Sequence, residues 1–181
     1  MQTSTHPAAA LPNWFDPAVL VATCGGIGRI PFAPGTFGAL VGVLLSVLLG
    51  SLLAPATSGL ALSTASATAV EALVLVVINV AGIPLCSLAA RRLGLGSDPG
   101  AIVYDEMASL PLGLLVVPAA ARSPVLLVLA FLLHRLFDIT KPFPCRRLEH
   151  LPAGLGIMAD DWGAAVWMAA SLWVARWGGL V

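Results

Sequence analysis

Residues 36–54 read Thr36-Phe-Gly-Ala-Leu-Val-Gly-Val-Leu-Leu-Ser-Val-Leu-Leu-Gly-Ser-Leu-Leu-Ala54 and carry no charged side chain. At ~1.5 Å per residue, a helix of this length measures roughly 28 Å, about one hydrocarbon thickness of a bilayer. A second apolar run covers residues 69–90, with Pro84 inside it and Arg91 and Arg92 at its end. The two runs predict two membrane-crossing helices, the second of them kinked at its proline.

Three further apolar segments follow, at residues 110–121, 125–137 and 162–177. The first two are short and meet at a hinge, so they predict either two packed helices or a re-entrant hairpin. Apolar residues make up 59% of the chain and charged residues only 10%, far from the composition of a soluble domain. The expected fold is therefore all-α, an integral membrane helical bundle with three to five membrane segments. It forms one membrane-embedded domain over residues 1–181, of which 1–25 are an N-terminal interfacial segment.

Charge and cysteine content narrow the class of protein. The formal net charge is zero, so the sequence lacks the basic footprint of a nucleic-acid-binding protein, and no nucleic-acid partner is expected. Three widely spaced cysteines, Cys24, Cys86 and Cys145, fit neither a disulfide framework nor a CxxC metal site. Residues 1–13 lack the charged and apolar regions of a cleaved signal peptide, which predicts insertion through the mature spans.

The zero net charge hides a strong sidedness. If the apolar segments cross in turn, seven of the nine cations share one face and only Arg122 and Arg176 lie on the other. The seven are Arg29, Arg91, Arg92, Arg135, Lys141, Arg146 and Arg147. Positively charged loops favour the cytoplasm, so we expect a multi-pass protein of the bacterial inner membrane with this face in the cytoplasm.

Five carboxylates fall on the same face. They are Asp105, Glu106, Asp138, Asp160 and Asp161. A charge inside the bilayer costs ~2.5 to 3.5 kcal/mol on insertion scales, so acids at the ends of spans indicate a wet, paired or metal-filled pocket. Mg²⁺ suits such a site because it takes one or two carboxylates together with waters and phosphate oxygens. The alternative is that these acids only cap and charge-pair helix ends, which the convergence of all five on one face disfavours.

The acids come as two adjacent pairs plus Asp138. Neighbouring residues on a helix point about 100° apart, so the members of a pair are not expected to share a face. One member would then reach a metal while the other holds an arginine or lysine. All five are candidate catalytic residues, and the candidate metal ligands are the two pairs, Asp105, Glu106, Asp160 and Asp161.

Cations and a glycine-rich loop complement the acids. Arg135 and Lys141 flank Asp138, and a Lys-Pro-x-Pro loop stiffens the backbone, which predicts a phosphate site. The other interpretation is that these cations, with Arg146 and Arg147, only set topology. Residues 25–36 are rich in glycine, include Arg29 and end at Thr36, the expected N-cap of the first span, and both Arg29 and Thr36 are candidate phosphate-binding residues. This loop could bind an anion or be a plain connection.

Four blocks of the sequence resemble one known family, and they occur in that family's order. The blocks are Gly26-x-Gly28-Arg29-x-Pro31-x-Ala33-Pro34-Gly35-Thr36-x-Gly38, Asp105-Glu106, Arg135-x-Phe137-Asp138-x-x-Lys141-Pro142-x-Pro144 and Gly156-Ile-Met-x-Asp160-Asp161. Together they are similar to phosphatidylglycerophosphatase A. The chain departs from the family's usual pattern at Ser109, where Gly is common, at His134, where an aromatic is common, at Ala39 and near Ala153.

The resemblance implies a Mg²⁺-dependent enzyme that converts the phospholipid phosphatidylglycerophosphate to phosphatidylglycerol at the cytoplasmic face of the inner membrane. By position, it assigns the five acids to metal and water, and Arg29, Arg135 and Lys141 to phosphate. Whether water or an aspartate attacks the phosphorus stays open. Two other classes are a non-catalytic membrane scaffold and a small transporter with charge-paired helix ends. The sequence has no internal repeat and keeps its charges at one face, which disfavours a transporter.

Overall fold

A computed structural model of the chain describes residues 13–59, 63–96 and 99–179. Within these residues all regular structure is helical. The helices are α1 (Pro17–Ala22), α2 (Pro34–Gly59), α3 (Thr64–Leu93), α4 (Tyr104–Gly113), α5 (Pro124–Thr140), α6 (Cys145–Leu148) and α7 (Gly154–Trp177). Short 3₁₀ turns lie at Ile27–Arg29, Leu114–Val116 and Ala119–Ala121. The all-α prediction is confirmed for the described part of the chain.

Two helices in the described residues are long and apolar enough to cross a membrane, namely Pro34–Ala54 in α2 and Thr64–Leu93 in α3. This is fewer than the three to five segments predicted. α5 has 17 residues, short of the ~20 needed for a free-standing span. α7 is longer, but Asp160 and Asp161 interrupt the apolar character of its first half.

Helix boundaries differ from the predictions in ways that matter for the site. α2 begins at Pro34, so Thr36 lies in the first turn and is not the N-cap that the sequence suggested. Proline suits a first helical position because its fixed φ is already helical and its missing N–H needs no partner there. α5 extends to Thr140, and α7 begins at Gly154, ahead of the apolar segment predicted at residues 162–177, which places Asp138 on α5 and Asp160 on α7.

α4 lies at the centre of the bundle and packs against α2, α3 and α7. It has only ten residues, and all but two of them are buried. Close approach of α2 is possible because Gly42 has no side chain, since a Cβ there would lie 2.9 Å from the carbonyl oxygen of Met107. Small residues at helix interfaces allow this kind of packing in membranes. The polar first turn of α4 is thus enclosed on every side by other helices.

Candidate active site

The first turn of α4 carries two of the predicted acids, and a third faces them from α7. Asp105, Glu106 and Asp161 are 7%, 9% and 2% exposed. Each offers a carboxylate oxygen, and these three oxygens lie within 4.8 Å of one another. The expectation that adjacent acids would not share a site is wrong for Asp105 and Glu106. Because α4 is covered all around, both side chains are buried in the same polar interior.

A second group of acids overlaps the first. Oxygens of Asp138, Asp160 and Asp161 also lie within 4.8 Å of one another, so Asp161 belongs to both groups. α5 contributes Asp138 from its last turn, and α7 contributes the two adjacent aspartates near its start. Residues separated by more than fifty positions in the sequence therefore meet in one continuous cluster of five carboxylates.

Two predicted cations are joined to this cluster by ion pairs. Arg135 forms a short ion pair with Asp138, one helical turn away, and its Nη1 lies 3.6 Å from Oε1 of Glu106. Lys141 donates from Nζ to Oδ2 of Asp160 at 2.8 Å and to Oε2 of Glu149 at 2.6 Å. Asp138 and Asp160 thus hold the two cations beside the first group of acids.

Lys141 is held in a fixed position and stays charged. Its backbone adopts a left-handed conformation, φ 45°, which ends α5 and turns the chain toward the acids. Partial burial lowers its pKa, but the hydrogen bonds that Lys141 donates to Asp160 and Glu149 outweigh burial, and the net pKa is raised. The sequence analysis missed Glu149. Glu149 lies eight residues after Lys141, and no single helix or strand covers both residues, so the sequence spacing does not predict their contact.

Several oxygens of the first group have no hydrogen-bond partner. Oδ1 of Asp105, Oε2 of Glu106 and Oδ1 of Asp161 are buried and unpaired. Burial, followed by repulsion from Glu106, raises the pKa of Asp105 well above its usual value. Burial likewise raises the pKa of Glu106 to about 7. Buried oxygens without a partner are rare in proteins because they cost free energy. A bound divalent cation would remove that cost, and carboxylate oxygens are ligands that such cations prefer.

The glycine-rich loop reaches the site through the start of α2. A Cβ at Gly35 would collide with Oε1 of Glu106 and lie 3.0 Å from Nη1 of Arg135. Glycine at this position therefore lets the helix N-terminus approach an acid and a cation together. Arg29, a predicted phosphate ligand, is exposed and stacks over the Trp14 ring at 5.1 Å. Among the described residues, no ion pair joins it to the five acids.

Two departures from the family pattern contact each other behind the acids. His134 is fully buried, and its Nε2 lies 3.0 Å from Oγ of Ser109. The same nitrogen is 3.8 Å from Oδ1 of Asp161, while Nδ1 has no partner. His134 is therefore packed inside the bundle. Its partner could not be read from the sequence, because the two residues lie on different helices, α4 and α5.

This contact predicts coupled stabilities. Ser109→Gly alone should lower the free energy of unfolding by about 1 to 3 kcal/mol, because it leaves a buried imidazole without a partner. In Ser109→Gly/His134→Phe, the second substitution should recover part of that loss. The measurement is a double-mutant cycle of denaturant unfolding in detergent, with an expected coupling of about 0.5 to 3 kcal/mol. Additive effects of the two substitutions would show that the contact contributes nothing.

These features fit one class of protein, a phosphatase: carboxylates suited to a cation lie beside cations suited to a phosphate, in a helical bundle with two apolar helices long enough to cross a membrane. Comparison with known proteins leads to the same class of protein. The family model for phosphatidylglycerophosphatase A matches residues 20–176. The chain belongs to the phosphatidylglycerophosphatase A family and is a phosphatase.

Three curated relatives align over most of their length. A Haemophilus influenzae protein named phosphatidylglycerophosphatase A is 35% identical over 91% of each chain. The Escherichia coli protein of the same name is 29% identical, over 87% of this chain and 83% of its own. A Bacteroides thetaiotaomicron protein, provisionally named a phosphatidylinositol-3-phosphatase, is 39% identical over 88% of this chain and 93% of its own. No solved structure matches the chain.

Proposed function

We propose that the protein hydrolyses phosphatidylglycerophosphate to phosphatidylglycerol and phosphate, with Mg²⁺, at the cytoplasmic face of the bacterial inner membrane. One observation supports this most directly. Three buried acids with unpaired oxygens, Asp105, Glu106 and Asp161, lie next to two cations that other acids hold in place. A site of this kind can take a divalent cation and a phosphomonoester side by side.

The first group of acids is the better cation site of the two. In the second group, Asp138 and Asp160 already accept from Arg135 and Lys141. Asp105, Glu106 and Asp161 would therefore hold the Mg²⁺. When bound, the ion supplies Lewis-acid stabilisation of phosphate oxygens and a more acidic bound water. Oxygen-only donors are the ligands that Mg²⁺ prefers.

The remaining groups bind and orient the substrate phosphate. Arg135 and Lys141 would contact phosphate oxygens and offset the charge that develops on them. Asp138 and Asp160 fix the directions of these two side chains, so little rotamer freedom is lost when the phosphate arrives. A carboxylate of the cluster would align the attacking water opposite the departing glycerol oxygen. The acyl chains would stay in the lipid.

The exterior of the bundle supports a location in the membrane. Large apolar side chains are exposed along α2, α3, α5 and α7, including Leu44 at 67%, Leu73 at 65% and Val125 at 71%. Contiguous apolar surface of this extent is a liability in water and the expected exterior in a bilayer. The cytoplasmic orientation rests on the sidedness of the cations.

The scaffold alternative explains the structure less well. If the acids served only to pair with cations, their oxygens would be satisfied, whereas one oxygen each of Asp105, Glu106 and Asp161 has no partner.

The name of the Bacteroides relative points to a second lipid phosphomonoester, one with its phosphate on an inositol ring. Both substrates present a phosphomonoester at a membrane surface, so the site geometry alone accommodates either.

The test is phosphate release by the purified protein in lipid nanodiscs. We expect release from phosphatidylglycerophosphate that stops when a chelator is added and returns with excess Mg²⁺. Phosphatidylinositol 3-phosphate is assayed in parallel, and faster release from that lipid would reassign the substrate. Release that is unchanged by the chelator would refute the Mg²⁺ assignment. No release from either lipid would refute the proposed function.

A further inference from the structure

An apolar groove runs beside the acid cluster on the outside of α7. One wall is α6 with the residues on either side of it, and includes Pro144, Leu148 and Leu151. The other wall is a stripe along α7 that includes Ala159, Trp162 and Val166. The groove has a volume of about 320 Å³, at the lower end of the ~300 to 1,000 Å³ typical of small-molecule sites. In the part of the chain that the structure describes, no charged residue lines the groove.

The groove is built with fixed walls. At its floor, α6 packs closely on α7, because a Cβ at Gly163 would lie 2.6 Å from Sγ of Cys145. Trp162 is held by a hydrogen bond from its Nε1 to Oδ1 of Asn79 at 2.7 Å. Trp167 donates from Nε1 to the carbonyl oxygen of Phe143 at 3.1 Å, which joins the second wall to the Lys-Pro-x-Pro loop.

At one end of the groove, the lining residues adjoin Lys141 and its partner Asp160 along the chain. Ala159, which lines it, directly precedes Asp160, and Asp160 accepts from Lys141 at 2.8 Å. Pro144, on the other wall, lies three residues after that lysine. From this end, the groove follows α7 as far as Val166 and Trp167, both of which are exposed. A ligand with an anionic head at Lys141 would therefore have its apolar part in the groove.

We propose that this groove binds an acyl chain of the phospholipid substrate and sets the approach of the phosphate to the acids. The proposal rests on the proposed function and adds a site for the part of the substrate that does not react. Lipid already surrounds the chain, so the groove gains little from hydrophobic burial and acts mainly by orientation.

The experiment fills the groove and compares two substrates. Val166→Trp blocks the α7 wall, and Leu151→Trp blocks the opposite wall from a separate position. Val174→Trp is the matched control, because Val174 lies on the same helix, is 59% exposed against 67% for Val166, and does not line the groove. Each variant is assayed with a long-chain diacyl phosphatidylglycerophosphate and with a short-chain, water-soluble analogue.

We expect both groove variants to lower kcat/KM for the long-chain lipid about tenfold, less than the ~100-fold loss for a reacting group misplaced by about 1 Å. Their kcat/KM for the short-chain analogue should stay at the wild-type value, and the control should match wild type on both substrates. Three results would overturn the groove assignment alone. They are an unchanged kcat/KM for the long-chain lipid, an equal loss of kcat/KM on both substrates, and an equal loss in the Val174→Trp control. Wild-type protein that releases phosphate from neither substrate would overturn the proposed function and the groove with it.

Discussion

Replacing Asp161 with Asn should lower phosphate release about 10²- to 10³-fold, the effect of removing one preorganised charged group from a reaction centre. Asp161 is the acid shared by both carboxylate groups, so its loss weakens the cation site and the neighbouring cluster together. Asp105→Asn, which changes only the first group, should give a loss of similar order. The measurement is kcat/KM for the lipid substrate at saturating Mg²⁺.

The same variants should be more stable than wild type when no metal is bound. Burial raises the pKa of Asp105 well above its usual value, so at pH values above that usual value the ionised carboxyl, which the unfolded chain keeps in water, is disfavoured in the folded state and lowers its stability. An amide of the same shape removes that cost, and the melting temperature in chelator should rise. Asp16→Asn is the control, since Asp16 pairs with Arg92 at 3.7 Å outside the site. Near-wild-type activity in Asp161→Asn would exclude this acid from the reaction centre.

Replacing Arg122 with Ala should destabilise the protein by about 3 to 5 kcal/mol, the usual result of removing one member of a buried ion pair. Arg122 donates to both oxygens of Glu71, at 2.5 and 2.9 Å, and to Oγ of Ser46 at 3.0 Å. The two charged side chains are 4% and 2% exposed. Without the guanidinium, the carboxylate of Glu71 is left charged and buried.

The measurement is the free energy of unfolding in detergent, with Arg176→Ala as the control because Arg176 is exposed on α7. Glu71→Leu/Arg122→Met should recover most of the loss, since apolar pairs replace buried ion pairs well. Equal stability of Arg122→Ala and the control would show that the pair contributes nothing.

The pair borders a second cavity of about 310 Å³ that none of the five acids lines. Ser46 is eleven residues along α2 from Gly35, roughly 16 Å away from the site.

Arg122 also illustrates the limits of sequence reasoning. It was counted as one of two cations on the less charged face, yet the structure uses it to neutralise Glu71. No spacing rule links a residue in the second apolar run to one at the hinge fifty-one positions later. The number of membrane segments was overestimated for a related reason. Apolar composition indicates burial, but it does not distinguish a helix long enough to span from a shorter one packed against others.

The sequence by itself determined the helical class, the two long apolar helices, the five acids and the cations beside them, because these depend on composition and on local motifs. Only the tertiary structure decided which acids meet. Helix periodicity placed Asp105 and Glu106 on different faces, but enclosure of α4 by three helices brings both to one site with Asp161. The tertiary structure also divides the acids into two sets. Asp138 and Asp160 pair with the cations, whereas Asp105, Glu106 and Asp161 have unpaired oxygens. That division depends on contacts between α4, α5 and α7, which no local pattern records.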